Sequence, residues 1–192
     1  SSVAVDPLGR GFAAAALIGS NDTGAVGKVA LFNTTTGAII NSFDVGYHPY
    51  CVSFSADGEY ILVANEGEWN ETARTMGSAS VITIGATTSR DSLPALNQSA
   101  AVTVDFSAAN LADGVSIEGL RVSDPSEGLP YGIEPEYVSY ADGKVYCSLQ
   151  EASAIGVLDI ASGKWVDIIR MPYMFQTIDA SNKDDGAIID DS

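Results

Sequence analysis

Basic side chains are scarce in this sequence. Nine Lys and Arg stand against 25 Asp and Glu, for a formal charge of −16 and an isoelectric point near 4.1. Such a chain repels phosphate backbones, which argues against nucleic-acid binding. No apolar run approaches the ~18 residues that a membrane-spanning helix requires, so no membrane span is expected in this segment. Histidine occurs once, at His48. A histidine-based triad would have to use it, yet no G-x-S-x-G motif is present, and its place before Pro49 fits a loop hydrogen bond. Cysteine occurs twice, at Cys51 and Cys147, too few for a disulfide framework. The two fall at different depths of neighbouring repeats and read as free thiols. Charge of either sign is also limited. At 18% charged, 46% hydrophobic and a mean hydropathy of +0.14, the chain lies outside the composition of disordered proteins.

What is abundant is glycine, 19 residues, together with Val, Ile, Ser and Thr. That mixture favours strands and tight turns over helices. The sequence opens at Ser1 without an initiator methionine or a signal peptide, and a processed or truncated chain is the expectation. Four N-x-[ST] sequons, at Asn21, Asn33, Asn70 and Asn97, each begin a polar, turn-like stretch. Together they point to a secreted glycoprotein.

The chain repeats itself. VSFSADG at 52–58 returns as VSYADG at 138–143. Each is followed by three more apolar runs: EYILVANEG, ASVITI and AAVTVDF in one case, KVYCSLQEA, AIGVLDI and KWVDIIRM in the other. Residues 1–46 fit the scheme more loosely. ADG and PLG are hairpin turn chemistry, and TTTG and ASG join the third run to the fourth. Four short strands per unit of ~40–50 residues is the spacing of β-propeller blades. The fold class is therefore all-β, a propeller of four-stranded antiparallel blades with about three present. Blade 1 covers about 1–46, blade 2 about 47–106 and blade 3 about 134–171. An insertion covers about 107–133, where SAANLADG predicts one short helix capped by Ser107 or Asp105. Residues 172–192 form an acidic loop leading to a further blade. Three blades do not close a ring of four to eight, so the remaining blades are expected from the same chain or a neighbouring one.

Up-and-down connectivity sends alternate loops to the same end of each blade. It collects Tyr47-His48-Pro49, Glu134-Pro135-Glu136, Asn65-Glu66-Gly67-Glu68 and Gln150-Glu151 at one end. Carboxylates and amide oxygens are hard ligands suited to Ca²⁺. Glu66, Glu134, Glu136 and Glu151 are the candidate metal ligands. Asp179–Gly186 looks like a cation loop but does not fit the EF-hand spacing, since Ser181 and Lys183 fall where acids should be. Gly9-Arg-Gly-Phe-Ala-Ala imitates a dinucleotide loop, yet no helical pattern follows it and it reads as a hairpin. Trp165 reads as a packing residue of the last strand, and Trp69 as a loop aromatic.

Five phrases carry a resemblance: VSFSADGEYILVANEGE at 52–68, TVDFSAANL at 103–111, GIEPEYVS at 132–139, SLQEASAIGVLDIASGK at 148–164 and QTIDASNKDDGAI at 176–188. They resemble the choice-of-anchor I domain family, which includes mesenchyme-specific cell-surface glycoproteins. The resemblance implies a larger propeller at the cell surface or outside the cell. The expected role is a non-enzymatic scaffold or adhesion module of a coat, matrix or filament that binds Ca²⁺, with other matrix or surface proteins as partners. The alternative is a secreted metal-dependent phosphoesterase, in which divalent metals at the acidic end polarise a phosphoryl group.

Overall fold

The computed structural model describes residues 2–19, 24–67, 75–122 and 128–172. Consecutive strands build three four-stranded antiparallel sheets. Blade 1 holds β1 (Val3–Val5), β2 (Phe12–Leu17), β3 (Val26–Asn33) and β4 (Ile39–Tyr47). Blade 2 holds β5 (Pro49–Phe54), β6 (Tyr60–Asn65), β7 (Ser78–Thr83) and β8 (Ala101–Asp105). Blade 3 holds β9 (Pro135–Ala141), β10 (Lys144–Leu149), β11 (Ala154–Asp159) and β12 (Lys164–Arg170). The molecule is all-β, three blades of a propeller.

Turn chemistry sets the hairpins. Between β9 and β10 only Asp142 and Gly143 intervene, with φ of 49° and 75°. Two successive positive φ values define the turn whose twist matches paired strands. Between β5 and β6 the Gly58 N–H donates to the Ser55 carbonyl at 2.9 Å. Asp57 Oδ1 there accepts from the Glu59 N–H at 3.0 Å and from Ser55 Oγ at 2.6 Å.

Each pair of neighbouring sheets encloses one core. Phe12, Val29, Leu31 and Phe43 of blade 1 pack on Ile61, Val63 and Ile82 of blade 2. Leu62, Ala64, Val81 and Phe106 of blade 2 pack on Val145, Leu149, Leu158 and Trp165 of blade 3. Strand alternation sends Ile61 and Val63 one way and Leu62 and Ala64 the other. The unbroken apolar run of β6 thus follows from burial on both faces. The outward sides of the array differ: Val3, Val5 and Ile39 are 63%, 67% and 72% exposed.

Trp165 packs in the last strand as its sequence position implies. It is fully buried and stacks on Phe106 with ring centroids 4.2 Å apart, and its Nε1 donates to the Asp105 carbonyl at 2.9 Å. Cys51 and Cys147 are both free. They do not sit in separate environments, however: Cys147 lies in the blade 2–3 core and Cys51 packs against that same core. Burial, then the neighbouring Cys51, pushes the Cys147 thiol up to about 12.

Two connections are more than loops. The segment after β7 carries a 3-10 helix, Arg90–Ala95, that the sequence pattern does not reveal. It lies along β4, where Asn41 Nδ2 donates to the Leu93 and Leu96 carbonyls at 2.8 and 2.9 Å. The connection from β8 to β9 runs along β12. Instead of the expected helix across SAANLADG, a single 3-10 turn forms, Ala108–Asn110, with Ser107 at its N-cap position. The chain must straighten directly afterwards, because Leu111 makes a parallel bridge with Trp165 and the Ala112 N–H donates to the Trp165 carbonyl at 2.9 Å. Both connections cover outer strand edges that would otherwise invite pairing with other chains.

Candidate functional site

Alternate turns of an up-and-down sheet share an end. The β1–β2, β5–β6 and β7–β8 turns therefore meet at one end, called here the turn end. The β4–β5, β6–β7, β8–β9 and β10–β11 connections meet at the other, the entry end.

At the turn end the buried carboxylate of Asp6 is matched by an arginine. Arg10 reaches Asp6 through Nη2 at 2.7 Å, with side-chain exposures of 12% and 0%. Its remaining donors go to carbonyls of blade 2: Gly58 at 2.9 Å, Gly85 at 2.8 Å, Ala86 at 3.2 Å and Thr88 at 3.3 Å. Its guanidinium also lies 5.0 Å from the centre of the Phe12 ring. Burial pushes the Asp6 carboxyl up, but hydrogen bonds from the Arg10 side chain and backbone outweigh it and hold the carboxyl below its ordinary value. The Gly9-Arg10-Gly11 segment is thus a hairpin turn, and its arginine ties blade 1 to blade 2.

The entry end is built differently. His48 occupies a left-handed conformation, φ 48°, at the one-residue link between β4 and β5. The Glu66 N–H donates to the His48 carbonyl at 3.0 Å and the Gly67 N–H to the Tyr47 carbonyl at 3.1 Å. The Glu66 carboxylate lies 3.5 Å from His48 Nδ1. The way into β9 depends on Gly77, where a Cβ would stand 2.1 Å from the Ile133 carbonyl oxygen and 2.5 Å from Pro135 Cδ. Only a residue without a side chain lets the first residues of blade 3 approach blade 2 so closely.

Glu136, on β9, is 8% exposed and accepts a hydrogen bond from Gln150 Nε2. Burial, then the negative charge of Glu151, raises its carboxyl above its ordinary value. Glu151 Oε2 is itself buried and has no hydrogen-bond partner among the described residues. Tyr50 and Tyr137 meet edge to face, ring centroids 5.6 Å apart. The Tyr50 phenol is pushed up by its hydrogen bond with Tyr137, then by the charges of Tyr137 and Glu136, with a smaller contribution from Glu66. Tyr50 therefore sits within electrostatic reach of carboxylates from two blades.

Of the four expected ligands, Glu136 and Glu151 lie within electrostatic range of each other. Glu66 approaches them by way of Tyr50 and is turned toward His48. Glu134 is half-buried, one residue before β9. Among the described residues, no three His, Cys, Asp or Glu side chains form a group able to hold a metal ion. Tyr50 and Tyr137 were not legible as site residues. The only signal was an aromatic within the first three residues of β5 and of β9. A cavity of about 350 Å³ opens between blades 1 and 2, lined in part by Tyr47, Ser78, Thr103, Asp105 and Tyr131. Behind it lies a buried polar ladder: Asn65 Nδ2 donates to Ser78 Oγ at 3.1 Å and to Ser80 Oγ at 2.9 Å, and Ser80 Oγ is 2.7 Å from Thr103 Oγ1.

Of the sequon asparagines, Asn33 ends β3 and is half-buried, its Oδ1 accepting from the Thr35 and Thr36 N–H groups at 2.8 and 3.1 Å. Asn97 is exposed, and its side chain caps a 3-10 turn, Gln98–Ala100. Asn21, Asn70, Trp69 and the 179–186 loop lie outside the described residues. No described helix is long and apolar enough to cross a membrane.

Among solved structures, the chain is similar to hydrazine synthase of Kuenenia stuttgartiensis, at 12% identity and a TM-score of 0.50, covering 82% of this chain and 39% of that one. A nidogen/laminin complex matches at 12% identity and a TM-score of 0.48, over 88% of this chain and 46% of that one. The β-propeller domain of the trilobed protease from Pyrococcus furiosus matches at 11% identity and a TM-score of 0.45, over 90% of this chain and 42% of that one. The chain thus spans less than half the length of each of these neighbours. No protein of curated function matches it in sequence. The family model of the choice-of-anchor I domain matches residues 1–192, and the chain belongs to that family.

Proposed function

We propose that this chain is part of an extracellular propeller glycoprotein, secreted or surface-anchored, that acts as a non-enzymatic scaffold or adhesion module and binds its ligand at the entry end, with Ca²⁺ as the ligand. The observation that carries the reading is the Glu136–Glu151 pair. Two carboxylates repel each other there, one of them raised by burial and the other with a buried oxygen that has no partner among the described residues. A hard divalent cation relieves both costs at once. Calcium takes six to eight oxygens and tolerates irregular geometry, so Glu136 and Glu151 would be joined by waters and by carboxylates that shift toward the ion, Glu66 and Glu134 first among them. The opposite end offers no such opening, because its buried carboxylate is already saturated by Arg10. Calorimetric titration of the full chain with CaCl₂ tests the reading. Saturable heat that falls at least tenfold in apparent affinity in Glu136→Gln supports it. No heat above the buffer blank refutes it.

The family and the four sequons support the proposed placement outside the cell. On this reading N-glycans occupy Asn33, Asn97, Asn21 and Asn70, and an amidase that removes N-glycans lowers the intact mass of native material. Further blades, from the same polypeptide or a neighbour, cover the outward side chains Val3, Val5 and Ile39. Light scattering on residues 1–192 alone should show self-association. A monomer that melts cooperatively would contradict this part of the proposal.

A further inference from the structure

We propose that Arg121 and Arg170 form an oxyanion-binding pocket at the periphery of the entry end, separate from the Glu136–Glu151 pair and independent of the calcium reading. A cavity of about 350 Å³ lies between the β8–β9 connection, the β10–β11 turn and the end of β12. Arg121, Arg170, Gly119 and Ser153 are among the residues that line it. Arg170 is held in place without any carboxylate: its Nη2 donates to the Glu118 carbonyl at 2.6 Å and the Ser116 carbonyl at 3.3 Å. Its other guanidinium donors make no hydrogen bond among the described residues. Arg121 makes no hydrogen bond or ion pair among the described residues. The Met171 N–H donates to the Ser153 carbonyl at 2.8 Å, which fixes the turn against the end of β12.

Charge composition is what makes this pair informative. Acidic residues outnumber basic ones by 25 to 9. Arg10, Lys28 and Arg90 each take an aspartate partner. Among the described residues Arg121 and Arg170, like Lys144 and Lys164, take none, and the two arginines line the same cavity. Guanidinium groups match the planar, two-point geometry of oxyanions better than any other side chain. Here Arg170 is oriented by carbonyls that leave its charge uncancelled. The cavity is large enough for a sulfate, a phosphate or a carboxylate carried on a small sugar or side chain. The shared chemistry is the oxyanion, and the carrier is for experiment to identify.

The test uses the full chain in calcium-free buffer, with sodium sulfate, sodium phosphate and sodium acetate added at ionic strength held constant by sodium chloride. Thermal melting is the readout. A saturable rise in Tm with sulfate or phosphate identifies a tetrahedral oxyanion, and a rise with acetate alone identifies a carboxylate. In either case Arg121→Gln should weaken the apparent affinity at least tenfold, and Glu136→Gln should leave it unchanged. Arg121 carries no structural bond, so this variant keeps the fold even if Arg170→Gln does not. Equal responses to all three salts and to chloride overturn the proposal. So does a saturable response that Arg121→Gln leaves intact. Loss of calcium binding in Glu136→Gln alongside an unchanged anion response keeps the two sites distinct.

Discussion

The two ends of these sheets treat buried carboxylates in opposite ways. At the turn end, Asp6 is enclosed by Arg10, and every donor of that arginine finds an oxygen in its own blade or the next. At the entry end, Glu136 is raised by burial and by Glu151, and Glu151 keeps a buried oxygen with no partner among the described residues. Charge at one end is paired within the fold, and charge at the other is what the proposed function assigns to a cation.

Removing Arg10 should break the comparison most severely. Arg10→Met leaves the Asp6 carboxylate buried and unpaired and frees four carbonyl contacts to blade 2. A loss of about 3 kcal/mol or more is expected, measured by denaturant unfolding of the full chain. Its pH dependence has a definite sign. The Asp6 carboxyl is held below its ordinary value of 3.8. Its contribution is therefore present above that value and lost as the pH falls through the folded-state value. The destabilisation caused by Arg10→Met should shrink in acid.

How much of this was readable from residues alone divides along physical lines. The hairpins were legible because ADG, ASG and TTTG carry turn chemistry that acts locally, and because alternation in VSFSADG and its repeat marks half-buried strands. The equivalence of Asn65-Glu66 with Gln150-Glu151 was legible for the same reason: both follow the second strand of a blade. What the side chains then do was not. Glu66 turns to His48 while Glu151 lies within electrostatic range of Glu136, since the blades differ in what enters beside them. The Arg10 latch was hidden because its partners are backbone carbonyls 48 to 78 residues away, and carbonyls leave no mark in a sequence. The expected helix after β8 gave way to tertiary context, because the chain there pairs with Trp165.

Gly77→Ala probes the entry end through its backbone. A Cβ 2.1 Å from the Ile133 carbonyl must push blade 3 away from blade 2. A cost of about 2 kcal/mol is expected, together with loss of the Tyr50–Tyr137 contact, visible as altered near-ultraviolet circular dichroism. An unchanged spectrum would show that the approach of β9 is set elsewhere.

Glu136→Gln should move stability the other way. A carboxyl raised in the folded state stabilises fully below its unfolded value, near 4.5, and loses that contribution as the pH rises through the folded value. At neutral pH the neutral amide should therefore be more stable than wild type by about 0.5 kcal/mol, and the gain should vanish below pH 4. A gain that persists in acid would not come from this charge.

The smallest effect is expected from Tyr50→Phe. Folding free energy should be nearly unchanged. The tyrosinate absorbance titration should lose one group that ionises above the ordinary value of 10.0. A titration curve identical to wild type would remove Tyr50 from the influence of Glu136 and Glu66.

The most direct test of the difference between the ends is thermal melting of the full chain at pH 7 with and without Ca²⁺, in wild type, Asp6→Asn and the double variant Glu136→Gln/Glu151→Gln. An ion at 100 times its dissociation constant stabilises the state it binds by about 2.7 kcal/mol. The account expects a calcium-dependent rise in Tm for wild type, the same rise from a lower starting point for Asp6→Asn, and no rise for the double variant. A rise of equal size in the double variant would contradict it.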